Sequence, residues 1–217
     1  MRYVVLLIVL ESALAAILFG AAGRVDLPWT WALLGCHAVV MAVGLASMDP
    51  DLRRERARRR GGGVDRVFRT LLAAFILIHL IVAGLDAGRF AWSPALPAAA
   101  RAVALAVYVA GLAVSMRAVV VNRFFAPAVR IQSERGQVPV TVGPYRVVRH
   151  PGYAGMLLAL FAECVVFGSL WAAVPAAAAA VTLAARTAME DRMLREKLHG
   201  YAEYAASVRY RLVPCVW

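Results

Sequence analysis

Long apolar runs, parted by short polar or turn-rich stretches, make up most of this chain. The first, from Tyr3 to Ala22, has about the 20 residues needed to cross a hydrocarbon core of roughly 30 Å, and it predicts a membrane helix. It does not read as a signal peptide, because a second apolar run follows at once instead of a cleavage site and a soluble domain. That second helix runs from Pro28 to Met48, with Trp29 and Trp31 at interface depth and Asp49-Pro50 closing it. Asp51 to Gly63 is then a basic loop ending in a glycine hinge, suited to lipid headgroups. Val67 to Leu85 and Ala98 to Val121 are the third and fourth helices, separated by a short loop, Asp86 to Pro97, that carries Trp92. After a polar stretch from Asn122 to Arg149 come two shorter runs, Tyr153 to Phe167 and Leu170 to Ala185, joined by Gly168-Ser169 as a hairpin. From Arg186 to Val208, Met189, Leu194 and Leu198 share one face with charge on the other, an amphipathic helix interrupted at Gly200.

This pattern predicts an all-α polytopic membrane protein of about six hydrophobic helices, five or six of them crossing, with a cytoplasmic C-terminal amphipathic helix. Composition agrees: with 62% hydrophobic and 17% charged residues and a mean hydropathy of +0.70, the apolar residues cannot all be buried in one soluble core. The net charge of +11 would suggest nucleic acid in a soluble protein. Here the arginines cluster beside apolar spans, so anionic lipid headgroups are the expected partners and nucleic acid is not. All but Arg24, Arg89 and Arg101 of the 24 lysines and arginines fall on one side of the predicted spans. The positive-inside rule makes that side cytoplasmic, with both termini in the cytoplasm of a multi-pass cell-membrane protein. Cys36, Cys164 and Cys215 have no metal-ligand spacing, so neither a disulfide framework nor a metal site is indicated. Glu11, His37, His79 and Glu163 lie inside spans. Each reads either as a functional group or as a side chain hydrogen-bonded to a neighbouring helix.

The most distinctive stretch is Gly143-Pro-Tyr-Arg-Val-Val-Arg-His-Pro-Gly-Tyr-Ala-Gly155. Gly143-Pro144 and His150-Pro151-Gly152 break any helix there, leaving backbone N–H groups free for a ligand, although basic Gly/Pro-rich loops also occur where arginines merely contact phospholipid. A second polar segment, from Arg186 to Trp217, flanks the same hairpin. Arg186 and Glu190 are four apart and share a helical face, so a mutual salt bridge is one reading of them.

Taken together and in this order, Gly143-Pro-Tyr145, Arg149-His-Pro-Gly-Tyr153, Arg186 with Glu190-Asp191 and Leu194, and Gly200-Tyr201-Ala-Glu-Tyr204 resemble the isoprenylcysteine carboxyl methyltransferase family, and more distantly phospholipid N-methyltransferases. The resemblance covers roughly the last 90 residues. It implies one membrane domain over residues 1–217, with four transmembrane helices in 1–121 and a cofactor-binding catalytic part in 122–217. The implied cofactor is S-adenosyl-L-methionine and the implied acceptor a lipophilic small molecule or lipidated substrate, most nearly an isoprenylcysteine-like carboxylate. By the same resemblance Gln132, Gln137, Val138, Pro139 and Val140 line the cofactor, while Tyr145, His150, Pro151, Gly152 and Tyr153 hold it. Glu190 accepts hydrogen bonds from it, and Arg186 is the catalytic residue facing the acceptor. The rings of Tyr145 and Tyr153 could also face the sulfonium. The family often carries glutamate where Asp191 stands, and Asp191 is left out of the cofactor contacts. An ionised carboxylate acceptor needs no base. An amine or thiol acceptor would need one, for which Glu11, His79 and Glu163 are the intramembrane candidates. Competing readings are N- or S-methylation of a lipid or small thiol, a sterol-reductase-like enzyme using NADPH, and a non-enzymatic scaffold or transporter.

Overall fold

The structure, a computed structural model, describes residues 2–57 and 63–217. Its regular elements are all helical: α1 (Arg2–Ala22), α2 (Pro28–Ser47), α3 (Pro50–Ala57), α4 (Gly63–Gly84), α5 (Ala98–Val121), α6 (Pro151–Phe167), α7 (Ala173–Lys197) and α8 (Tyr201–Ser207). No strand occurs among the described residues. Four helical stretches are long and apolar enough to cross a membrane: Tyr3–Ala22, Pro28–Ser47, Gly63–Phe90 and Ala98–Val121. The 17 residues of α6 reach only about 25 Å at 1.5 Å per residue, short of a full hydrocarbon core.

Three local departures from the sequence pattern have physical causes. The basic stretch after α2 is a helix rather than a loop, at least as far as Ala57. The Asp49 carboxylate accepts the Asp51 N–H at 2.7 Å, and Pro50 takes the first helical position, where its missing N–H costs nothing. Leu52 is then buried against Met48 and Val119, so one face of α3 packs on the bundle. Of the proposed glycine hinge, Gly61 and Gly62 lie outside the described residues, and Gly63 is the first residue of α4. Beyond α4, Leu85–Phe90 continues as a π-helical turn where a plain loop was expected. There Asp86 accepts bonds from the Ser93 N–H and hydroxyl and from the Ser169 hydroxyl at 2.6–2.9 Å. Finally, α7 begins at Ala173 rather than Leu170 and runs unbroken through Arg186 to Lys197. Leu198, His199 and Gly200, the last at φ +79°, separate it from α8.

The closest helix pair is α5 with α6, and small residues make it possible. A Cβ on Gly155 would stand 2.4 Å from the Gly111 carbonyl oxygen, and one on Gly111 would stand 2.7 Å from that of Gly155. The two backbones touch here, as small residues allow in membrane helices. This crossing holds the start of α6 beside the end of α5, with the turn-rich stretch between them folded over the junction. On its other flank α4 packs along α7. Together α4, α5, α6 and α7 surround the polar end of the bundle.

Candidate functional site

The stretch 122–150 is organised around one buried amide. Gln132 is 1% exposed. Its Nε2 donates to the Phe124 carbonyl at 2.6 Å, its Oε1 accepts from Arg135, and its backbone N–H donates to Gln137 Oε1 at 2.7 Å. From below, α3 pins the same stretch through ion pairs of Glu55 with Arg130 and Asp51 with Arg135. The Tyr145 hydroxyl accepts from Asn122 Nδ2 at 2.9 Å, and the Tyr204 hydroxyl donates to the Tyr145 carbonyl at 2.7 Å. Burial pushes the Tyr145 phenol up, only partly opposed by the Asn122 bond. It therefore stays a neutral hydroxyl throughout the physiological range.

His150 precedes Pro151, the first residue of α6, and the C-terminal segment closes over this turn. The Arg149 and His150 N–H groups donate to the carbonyls of Tyr210 and Arg211, both at 2.9 Å. The anchor underneath is Asp191, which is fully buried. Its Oδ1 accepts from Arg149 Nε at 2.7 Å and from the Tyr201 hydroxyl at 3.1 Å. Its Oδ2 accepts from Arg149, Arg195 and Arg211 at 3.0–3.2 Å. Burial alone would raise this carboxyl. The nearby His150 ring and the donors from Arg149 and Arg211 outweigh it and hold Asp191 well below the usual carboxylate range. His150 Nε2 lies 3.6 Å from Asp191 Oδ1, beyond hydrogen-bond reach, and is a buried nitrogen without a partner. Its ring stacks parallel to that of Tyr153 at 5.8 Å.

A second cluster joins α4, α6 and α7. Arg186 is 5% exposed. It donates from Nε to Asp65 Oδ1 at 3.0 Å, from one terminal nitrogen to the Tyr153 hydroxyl, and from the other to the Pro127 carbonyl at 2.9 Å. The Tyr153 hydroxyl in turn donates to Glu190 Oε2 at 2.8 Å. Arg186 and Glu190 therefore meet through Tyr153, and the expected pairing along one helix face gives way to a pairing with Asp65 on α4. Three of the five guanidinium N–H groups are used, which leaves one on each terminal nitrogen.

Between these clusters opens a cleft of about 750 Å³, including its part open to solvent. Its wall contains Gln132, Gln137, Val138, Pro139, Val140, Tyr145, His150, Gly152, Tyr153 and Glu190. Of the sequence-predicted cofactor contacts only Pro151 lies outside it, one residue behind the wall at the start of α6. Gly152 belongs there because a Cβ would come within 2.9 Å of the Phe125 ring. Arg186 stands behind Tyr153 rather than in the wall. Asn122, Phe124, Arg149, Tyr201 and Tyr204 also line the cleft. Of these, Tyr201 and Tyr204 fall in a motif that sequence reasoning noticed without giving them a role. Asp65 carried no signal, since nothing local marks an acid 121 residues from its arginine.

The intramembrane acids are elsewhere. Glu11 pairs with His37 on α2 at 2.7 Å, the neighbouring-helix alternative read from the sequence. Glu163 pairs with His79 at 3.1 Å. Glu163 lies ten residues beyond Tyr153 on α6, about 15 Å along the helix axis. Neither pair lines the cleft, so the structure does not place Glu11, His79 or Glu163 where a general base would be needed.

The model of the isoprenylcysteine carboxyl methyltransferase (ICMT) family matches residues 102–196, from early α5 to near the end of α7. That stretch contains the whole turn-rich segment, Tyr153, Arg186, Glu190 and Asp191. None of the curated proteins compared with the chain matches it. Over the matched residues the chain is similar to a family of membrane methyltransferases.

Proposed function

We propose that the chain is a membrane methyltransferase that uses S-adenosyl-L-methionine and methylates a lipophilic acceptor, most nearly the carboxylate of an isoprenylcysteine-like molecule. The observation that carries this reading is one cleft that joins the family-matched residues into a polar pocket walled by aromatic rings. The donor set suits such a cofactor. Glu190 offers a carboxylate to ribose hydroxyls or an amino group, and the unpartnered His150 Nε2 supplies a further polar contact. Val138, Pro139 and Val140 give an apolar strip for a purine, and the rings of Tyr145 and Tyr153 present electron-rich faces to a cation. When bound, S-adenosylmethionine supplies an electrophilic methyl group on a sulfonium, a good leaving group.

The chain's own residues then have to position and exclude. Asp65 and the Pro127 carbonyl fix the Arg186 guanidinium from two sides, so its remaining N–H groups are pre-aimed. They can orient an acceptor carboxylate with little reorganisation. An ionised carboxylate is already nucleophilic, so no residue needs to remove a proton. The buried Asp191 centre keeps the turn at Arg149 and His150 rigid and closes the site from the C-terminal side. Within this reading, residues 1–121 are mainly the membrane part and 122–217 the catalytic part. The cleft faces the cytoplasm of a multi-pass cell-membrane protein, with anionic lipids along the arginine-rich end. A cysteine placed at Ser133, which is exposed, should accordingly label only from the cytoplasmic side.

The direct test is calorimetry on the purified protein. Binding of S-adenosylmethionine with no binding of NADPH supports the proposal. NADPH binding alone would favour the reductase reading, and binding of neither would return the chain to the scaffold or transporter class.

A further inference from the structure

A second cavity lies deeper in the bundle, on the opposite side of Tyr153 from the cleft. It has a volume of about 230 Å³ and is bounded by α1, α2, α4, α5, α6 and α7. Near the site its wall is Leu72, Met156, Leu157 and Leu183, the same residues that pack with Tyr153. Tyr153, with Arg186 hydrogen-bonded to its hydroxyl, is thus the partition between the polar cleft and the oily cavity. A lipophilic acceptor whose polar end sits at Arg186 can lay its chain in this cavity.

The far end of the cavity is not apolar. His37, Tyr108 and Glu163 line it. His37 is bound to Glu11, whose second oxygen is buried without a partner. Glu163 is held by His79. The other nitrogen of His79 faces the Ala172 carbonyl at 2.9 Å and must donate to it, because a carbonyl only accepts. That fixes the His79 ring and leaves the Glu163 carboxyl with unused acceptor positions beside the cavity. A chain ending in methyl groups would leave the remaining acceptor positions of Glu163 facing hydrocarbon. A chain ending in a hydroxyl would satisfy them.

We propose, resting on the methyltransferase reading for the position of the acceptor's carboxylate, that the acceptor is polar at both ends. Its apolar chain fills the cavity for about 15 Å, the Tyr153 to Glu163 rise along α6, and a terminal hydroxyl meets the Glu163 and His37 end. Such an acceptor shares the carboxylate end of an isoprenylcysteine-like molecule but not its purely hydrocarbon far end, and so narrows the acceptor of the proposed function.

The test is equilibrium binding to detergent-solubilised, cofactor-free protein with three probes: ω-hydroxydodecanoate, dodecanoate and N-acetyl-S-farnesylcysteine. The hydroxy acid should bind at least about tenfold tighter than dodecanoate, since a site built to pair a hydroxyl rejects the analogue lacking it. It should also bind more tightly than the farnesyl probe. Glu163→Gln and His37→Phe should erase the advantage while S-adenosylmethionine affinity stays at its wild-type value. Equal or tighter binding of either chain with an apolar end to the wild type would overturn the proposal, and that comparison stands even if neither variant folds. Selective binding of the hydroxy acid by a protein that does not bind S-adenosylmethionine would keep the cavity's specificity and sink the methyl-transfer reading instead.

Discussion

Replacing Asp191 by asparagine tests the architecture of the site without reference to any ligand. In the wild type this carboxylate receives Arg149, Arg195, Arg211 and Tyr201 and is itself fully buried. The Arg149 side chain is only 2% exposed, so the substitution strands a buried guanidinium. Stranding one partner of a buried pair costs about 3–5 kcal/mol. Arg149 keeps its bonds to the Val208 and Arg209 carbonyls at 2.7 Å, and asparagine still accepts one donor, which places the expected loss near the lower figure, about 3 kcal/mol. Arg195→Ala is the control: that side chain is 44% exposed, and its pairing should contribute no more than about 1 kcal/mol. The assay is reversible unfolding in mixed detergent micelles. Because the folded carboxyl lies below its unfolded value of about 3.9, its contribution is fully present above that pH and fades as the pH falls through the folded value. The gap between wild type and Asp191→Asn should therefore be flat at neutral pH and shrink under acid. A loss below about 1 kcal/mol, equal to the Arg195 control, would refute the buried centre described here.

Glu190→Ala removes a half-buried acid whose protein partner is Tyr153, so the fold should survive. Affinity for S-adenosylmethionine measured by calorimetry should drop at least about tenfold, the worth of one charge-assisted hydrogen bond, and unchanged affinity in a folded variant would remove Glu190 from the cofactor site. Arg186→Lys keeps the charge but cannot reach Asp65, Tyr153 and Pro127 together. Turnover should fall by about tenfold or more while cofactor affinity stays within about twofold; wild-type kinetics with weakened cofactor binding would restrict Arg186 to a structural role. Gly155→Val should destabilise the bundle more than Gly20→Val, because a Cβ meets the Gly111 backbone at 2.4 Å in the first case and nothing within 4 Å in the second. Comparable thermal stability of the two variants would show that α5 and α6 do not touch as described.

Helix positions were legible in the sequence wherever a long apolar run was bounded by a turn signal, as for Ala98 to Val121 between Pro97 and Asn122. The short helix α3 was hidden by its arginines, which look like a headgroup surface unless one weighs Asp49-Pro50 as a cap and Leu52 as a buried anchor. The cleft was legible because most of its wall comes from one contiguous stretch, 122–153, whose turn residues leave little freedom. The electrostatic centres were not. Asp191 sits next to Glu190 in sequence, yet one turns to the cleft and the other to the interior. Only packing decides which, and Asp65 reaches Arg186 across more than a hundred residues.

The ion pair between Asp65 and Arg186 also bears on modularity. The family-matched segment begins at residue 102, yet the arginine within it is braced by α4, and its overlying loop is fastened by Asp51 and Glu55 from α3. The segment is therefore not a transplantable cassette. A chimera that grafts residues 102–217 onto foreign membrane helices would inherit the pocket's wall but not its bracing. Three acids at positions 51, 55 and 65 would have to travel with it.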